Sequence, residues 1–309
     1  MRVTRLAVIS DIHGNLPALE AVIADMAGEE FDQVVVAGDL INIGPWSREV
    51  LEAVFDSGWV VIRGNHEHYL LDRVALSPMN AHKDWAFLDF LAEQLGEAWQ
   101  ARLAVMPDEL SLRFADAPPL RIVHAAPGNP FRTITPVTAE EDALTMLAGV
   151  DECSIVAGHY HMAFERRLAT WHFMNPGPVG TPHDGLQHAC YAVLEGDTGG
   201  WRVEHRRLPV DASRLLAEMQ RLGYVERFGL RGHIIIEQCR LARPLFVSFR
   251  RWVRQQHPGQ EWSYALLDEF LSGGHLWPSL APEYQFNRHL LEVQPSDRAR
   301  DHAPGDTGT

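Results

Sequence analysis

The sequence lacks the features of a secreted, membrane-spanning or nucleic-acid-coating chain. Of its 309 residues three are cysteines, Cys153, Cys190 and Cys239, and no short spacing joins them. An odd number so scattered supports neither a disulfide framework nor a zinc ribbon and fits a reducing compartment. No apolar run approaches the roughly 18 residues of a membrane span. The first apolar run, in MRVTRLAVIS, is too short for a signal-peptide core and leads straight into Asp11. Positive charge is also scarce. There are 27 Lys+Arg against 41 Asp+Glu, a net charge of −14, and Lys83 is the one lysine. Such a surface repels a phosphate backbone, which argues against generic nucleic-acid binding and against anionic membranes. No Gly-x-Ser-x-Gly elbow and no Walker-type loop occurs, so nothing points to acyl transfer or nucleotide-driven chemistry. A cytoplasmic protein is expected.

Hydrophobic residues make up 46 % and charged residues 22 %, the composition of a globular chain long enough for one large domain or two. The first two hundred residues repeat strand, loop and helix. Apolar strands are expected at Leu6–Ser10, Gln33–Ala37 and Trp59–Arg63, with helices at Leu16–Met26 and Arg48–Phe55. A helical stretch at Lys83–Val105 interrupts the rhythm. Strands resume at Leu120–Val123, Ser154–Ala157, His172–Met174, Cys190–Leu194 and Arg202–Arg206. Continuous apolar strands alternating with helices read as an α/β protein with a mostly parallel sheet covered on both faces. Beyond Asp211, a plausible helix cap, the pattern is helical to about Glu292. The remainder, rich in Pro, Gly, Asp and Thr, reads as a frayed tail. The expected division is 1–210, 211–292 and 293–309.

Polar residues stand just past each strand. Asp11 and His13 follow the first, Asp39 the second, Asn65 and His66 the third, His124 the fourth, and His159 and His161 the fifth. Ligands gather at the carboxyl ends of strands in an open parallel sheet, so five loops deliver two Asp, one Asn and five His to one edge. This nitrogen and oxygen set suits Mn, Fe, Zn or Ni. Seven of the eight residues suffice for a two-metal site with one bridging carboxylate. Two cations about 3.5–4 Å apart clamp a phosphoryl oxygen and lower the pKa of a water between them. Each fragment alone is weak, but all five in this order, each directly after a strand, are a strong signal.

The order Asp11-x-His13, Gly38-Asp39, Gly64-Asn65-His66-Glu67, His124, Gly158-His159-x-His161 resembles the calcineurin-like metallophosphoesterase superfamily. SDIHGNLPALEAV and NPGPVGTPHDG resemble its small bacterial YfcE-like phosphodiesterase branch, and the likeness spans about residues 1–210. It implies two packed sheets flanked by helices (αββα), here with an additional helical C-terminal region. It also implies two divalent metal ions, manganese first, with iron, zinc or nickel as alternatives. Asp11, His13, Asp39 and His161 would hold one; Asp39, Asn65, His124 and His159 would hold the other, with Asp39 the bridge. His66 would be the catalytic histidine, assisting the leaving group as a metal-bridging hydroxide attacks phosphorus.

Two positions depart from relatives. In the protein-phosphatase branch an Asp and a phosphate-gripping Arg follow Gly-Asp, where this chain has Asn42 and Ile43. Asn175-Pro176-Gly177 is followed by Pro178 rather than Ser. Loss of the Arg favours a monoanionic diester. The expected activity is therefore a phosphodiesterase acting on a small or nucleotide-type diester. A phosphomonoesterase of the same fold is the alternative, and a non-catalytic metal-binding scaffold a weaker one. His68 and Tyr69, and Trp46, Asn129, Arg132 and His183 on loops near the metal edge, are candidate substrate contacts. From Arg202 to His257 twelve arginines face five acidic residues. These either recruit an anionic substrate or pair with the acidic body. The helical region would cover the site, build a homo-oligomer or stabilise the sheet.

Overall fold

The computed structural model describes residues 3–72 and 85–285. Lys83, the last residues of the helical region and the tail from 293 lie outside them. The strands are β1 (Thr4–Ile9), β2 (Gln33–Val36), β3 (Val60–Val61), β4 (Glu109–Leu112), β5 (Leu120–Val123), β6 (Ser154–Ala157), β7 (Phe164–Leu168), β8 (Trp171–Asn175), β9 (His188–Asp197) and β10 (Gly200–Pro209). Among and after them run helices α1 (Leu16–Met26), α2 (Ser47–Asp56), α3 (Asn65–Leu71), α4 (Trp85–Ala104) and α5 (Glu140–Leu147). The chain then continues as α6 (Ser213–Arg221), α7 (Tyr224–Leu241), α8 (Leu245–Gln256), α9 (Tyr264–Ser272), α10 (Leu276–Ser279) and α11 (Pro282–Gln285).

The strands form two five-stranded sheets, ordered β10-β9-β1-β2-β3 and β4-β5-β6-β8-β7. Alternation along each strand explains why they pack together. In β1, Leu6 and Val8 point into a core between the sheets, where they meet Ile122 and Val156 of the second sheet. Ala7 and Ile9 point the other way, against Leu19 and Val22 of α1 and Leu51 of α2. On the far side of the second sheet, Val123, Ile155 and Phe173 pack under Ala143 and Leu147 of α5. The result is helix, sheet, sheet, helix.

The expectation of a mostly parallel sheet is corrected. In the first sheet β1–β2 and β2–β3 are parallel, whereas β1–β9 and β9–β10 are antiparallel. In the second, β5–β6 and β6–β8 are parallel and β4–β5 and β7–β8 antiparallel. Apolar continuity reports burial on both faces, which a partner sheet and a helix layer give to strands of either direction. Edge strands β4 and β7 had no expectation attached, because their faces are only partly covered. Helix α4 bends at Gly96, whose φ is 70°.

Two more apolar clusters hold the C-terminal helices. Ile234 of α7, Leu245, Phe249 and Trp252 of α8, and Leu267 and Phe270 of α9 form one. The other joins Leu215 and Met219 of α6 and Tyr224 and Phe228 of α7 to Phe87 of α4, with Ile43 and Trp46 packed on it. Backbone and side-chain bonds tie these helices to the loops at the sheet edge. The Tyr224 hydroxyl donates to the Ile43 carbonyl at 3.2 Å, Gly185 N–H donates to Ala242 O at 2.8 Å, and the Tyr160 hydroxyl donates to Glu283 O.

Candidate metal centre

Asp11 and His13 lie on the loop after β1, Asp39 after β2, Asn65 and His66 at the start of α3, His124 after β5, and His159 and His161 after β6. Asp11, His13, Asp39, His159 and His161 all adopt left-handed backbone, with φ between 52° and 66°. For a residue with a Cβ this costs on the order of 1–3 kcal/mol. Five such residues around one point mean that the surrounding structure imposes the turns that aim their side chains inward. Gly38 and Gly158 allow those turns to approach each other. A Cβ on Gly38 would stand 2.7 Å from Gly64 N and from His124 Nδ1, and one on Gly158 would overlap Ser10 Oγ.

The loops are stitched together by hydrogen bonds. His13 N–H donates to Asp39 O at 3.0 Å, and His159 N–H donates to the Asp11 carboxylate at 3.0 Å. The buried Glu67 carboxylate accepts N–H groups from Gly64 (2.6 Å), Leu40 (2.9 Å), Asp39 (3.1 Å) and Ile41 (3.3 Å), pinning the loop after β2 to the start of α3. Asn175 donates to Gly158 O at 2.7 Å and accepts from Gly177 N at 2.9 Å. The Asn-Pro-Gly loop thus supports the loop after β6.

The side chains form two overlapping groups. Asp11, His13, Asp39 and His161 make one, and Asp39, His124 and His159 the other. In the first, His161 Nε2 lies 3.3 Å from Asp11 Oδ1 and 3.2 Å from His13 Nε2, and His13 Nε2 lies 3.6 Å from Asp39 Oδ2. In the second, His124 Nε2 lies 3.2 Å from the same Asp39 oxygen. Asn65 Oδ1 joins this group, 2.9 Å from His124 Nε2 and 2.7 Å from His159 Nδ1. Ligands at about 2.0–2.2 Å from one ion, at right angles, stand about 3 Å apart. These spacings match.

Donor chemistry supports the same reading. His124 Nδ1 is 2.8 Å from Ala37 O and His161 Nδ1 is 2.6 Å from Thr181 O, so each ring donates outward and turns an Nε2 lone pair inward. The His124 lone pair then faces a carboxylate oxygen and an amide oxygen, an arrangement that a cation relieves. A proton does so in the metal-free protein. Burial alone would lower the His124 pKa, but Asp39 outweighs it and lifts the ring to about 9. Burial would likewise raise the Asp11 carboxyl, yet His161 holds it down to about 2. Burial, with His124 adding to it, takes His159 down to about 3. The donor set fits divalent metal ions, and Asp39 belongs to both groups.

A cleft of about 340 Å³ opens beside this cluster. His66 lines it, edge-on to His13 with ring centroids 4.5 Å apart, and its Nδ1 has no hydrogen-bond partner. Burial pushes the His66 pKa below its ordinary value. Of the residues expected to contact substrate, His183 lines the cleft, stacked on His161 at 4.3 Å, and so does Tyr69. The others stand elsewhere. His68, one position before Tyr69 on α3, turns to Asp108 at 2.8 Å. Trp46 lies under Arg214 at 5.4 Å and packs on the helical cluster. Asn129 caps its own turn by accepting Phe131 N–H at 2.9 Å, and neither it nor Arg132 reaches the cleft. Sequence reasoning gave no role to Glu67 or Thr181, nor to the far wall, built by Ile235, Phe246, Arg250 and Tyr284 from the C-terminal helices. Only the short motif around Glu67 carried a local signal.

A family model described as calcineurin-like phosphoesterase matches residues 4–178. Among curated proteins, uncharacterized protein MJ0912 of Methanocaldococcus jannaschii is 28 % identical over 231 residues, covering 68 % of this chain and 89 % of its own. A metallophosphoesterase from Sphaerobacter thermophilus has a TM-score of 0.62 at 23 % identity, covering 78 % of this chain and all of that one. Hypothetical protein PH1004 from Pyrococcus horikoshii has a TM-score of 0.64 at 20 % identity, covering 76 % and 96 %. These two structures share the fold.

Proposed function

This chain belongs to the calcineurin-like phosphoesterase family, and from that premise we propose that it is a phosphodiesterase acting on a small or nucleotide-type diester with two manganese ions. The observation that supports the reading is the single oxygen, Asp39 Oδ2, 3.6 Å from His13 Nε2 and 3.2 Å from His124 Nε2, between two candidate nitrogen and oxygen ligand groups. When bound, the two ions supply Lewis acidity at the phosphoryl oxygen and a water acidic enough to act as nucleophile at neutral pH.

The chain's own groups do the rest. Asp11, His13 and His161 hold one side and Asn65, His124 and His159 the other. Asp39 accepts His66 N–H through its second oxygen at 2.8 Å, which fixes Oδ2 between the groups. His66 carries a proton to the leaving oxygen; burial lowers its pKa, and an anionic ester favours its charged form. Residues 1–210 act as the catalytic unit and the region after 211 as a cap, whose described helices α7 and α8 wall the cleft.

Asn42 and Ile43 add no charge where protein phosphatases carry an acid and an arginine, which supports a monoanionic diester. A monoesterase is favoured by one observation, the cationic Arg231 and Arg250 across the cleft. Free cysteines at all three positions are compatible with a cytoplasmic setting, and among the described residues no helix is long and apolar enough to cross a membrane. The test is hydrolysis of bis-p-nitrophenyl phosphate by metal-stripped protein with and without Mn²⁺. Turnover that appears on adding the metal is expected. No turnover with any of Mn²⁺, Fe²⁺, Zn²⁺ or Ni²⁺ on this diester would overturn the diesterase reading, and turnover of p-nitrophenyl phosphate alone would replace it with the monoesterase.

A further inference from the structure

The arginines of segment 202–257 are mostly spoken for. Arg202 pairs with Asp197 at 2.9 Å, Arg206 with Glu29 at 2.6 Å, Arg207 with Asp184 at 2.7 Å, Arg221 with Glu218 at 2.7 Å, and Arg240 with Glu237. Arg227 and Arg243 stack over Phe90 and Trp277. Arg250 is different. It is half-buried in the wall of the cleft that holds His66 and Asn65, and among the described residues no carboxylate lies within 4.0 Å of it. On α8 it shares a face with Phe246 and Val247, four and three residues earlier, while Phe249, Trp252 and Val253 of the same helix are buried in the helical core. The helix therefore presents its cation to the cleft between apolar side chains. Burial and the neighbouring Arg254 disfavour its charge there, Tyr69 acts the other way, and among the described residues no carboxylate is paired with it.

A second, independent feature points to a ligand. His183 is only 9 % exposed and lines the same cleft, yet among the described residues neither of its ring nitrogens has a hydrogen-bond partner. Buried polar groups left unpaired in a protein of this kind mark a place where something else supplies the bond. Facing the ligand cluster, the cleft thus offers a half-buried guanidinium, an unpaired imidazole and the apolar surfaces of Phe246, Ile235 and Tyr284.

We propose that this wall is a second subsite, in which Arg250 pairs with a negative group that the substrate carries on its leaving group, beyond an apolar or aromatic connector. The substrate class is an ester whose scissile phosphate and second acidic group are separated by a flat unit, as in a nucleotide derivative. Arg250 sets specificity, because a guanidinium binds carboxylate or phosphate in bidentate fashion and an aliphatic replacement leaves the second charge desolvated. This rests on the hydrolase reading above, since the first phosphate is taken to sit at the metal centre.

The test compares binding of phenylphosphonate with that of its 3- and 4-carboxy derivatives to the manganese-loaded protein, by calorimetry. None of these probes is hydrolysed. At least one carboxylated isomer is expected to bind about tenfold more tightly than the parent, that ratio falling to near one in Arg250→Met and staying above about threefold in Arg250→Lys. Equal affinities in the wild-type protein, or a ratio unchanged in Arg250→Met, would overturn the subsite. Equal weakening of all three probes by Arg250→Met would overturn it too, by placing Arg250 on the first phosphate. If the manganese-loaded protein bound no phosphonate at all, the hydrolase reading would fall with it.

Discussion

Asp39 Oδ2 lies 3.2 Å from His124 Nε2 and also 3.6 Å from His13 Nε2, so one carboxylate oxygen faces both halves of the ligand cluster. Its partner oxygen accepts the backbone N–H of His66 at 2.8 Å, which restrains the carboxylate's rotation. The site thus hinges on one residue.

Asp39→Asn should therefore cost both metals, not one. An amide presents a single uncharged acceptor and a pair of donors, which point at lone pairs if the side chain flips. Elemental analysis after dialysis should show both ions depleted and diester turnover reduced by at least about a hundredfold. Full activity with full metal content would exclude the bridging role.

The raised pKa of His124 gives metal binding a defined pH dependence. With a metal-free pKa of about 9, the ring must lose a proton to bind below that pH. Affinity should climb by about tenfold per pH unit from 6.5 towards 9 and then level off. The metal-free protein should move the other way. A group whose folded pKa lies above its unfolded value of 6.5 lends stability that is complete at low pH and is lost as pH rises through the folded value. Melting curves of the loaded and stripped protein should diverge between pH 6.5 and 9, and calorimetry in two buffers should register proton release. A pH-independent affinity across that window would contradict the assignment.

His66→Ala and His68→Ala make a paired test on neighbouring residues. His66 lines the cleft and is proposed to handle the leaving-group proton, so its loss should lower kcat by about 10²–10⁴ with both metals retained. His68 is turned to Asp108 and Asp72. Its removal should cost less than about 1 kcal/mol of stability and leave kcat nearly unchanged. Metal loss in His66→Ala would make that residue a ligand instead.

Glu67→Gln should weaken the scaffold beneath the site. Four backbone N–H groups converge on the carboxylate. The amide keeps one oxygen and turns an NH₂ towards some of the same donors, costing about 1–3 kcal/mol. For a chain of this size the melting temperature should fall by roughly 2–10 °C. An unchanged melting temperature would show that those donors find other partners.

The ligand residues were legible because each belongs to a short local pattern. A buried strand ends, a glycine permits a tight turn, and a polar residue follows. Helix α1 was legible to the residue, and so were β5 and β6, since their apolar periods are complete within a few positions. What a strand pairs with is not local. Antiparallel β9 beside β1, and the edge strands β4 and β7, follow from burial shared between distant segments, which leaves the same apolar composition whichever direction the partner runs.

The same limit separates the two ends of the active cleft. Which residues form the candidate ligand cluster was written in five motifs, since chain geometry at a strand end dictates where the next side chain points. That Arg231 and Arg250, out of twelve arginines, line the cleft was not. Arg250 and Arg240 look alike in the sequence, and only the packing of α8 on its buried side, with Phe249 and Trp252 inward, turns one to the cleft while the other pairs with Glu237 on the surface. The candidate ligand cluster is a property of local sequence; the wall that faces it exists only once the helices have folded against the sheet edge, because burial of one helix face decides what the opposite face presents.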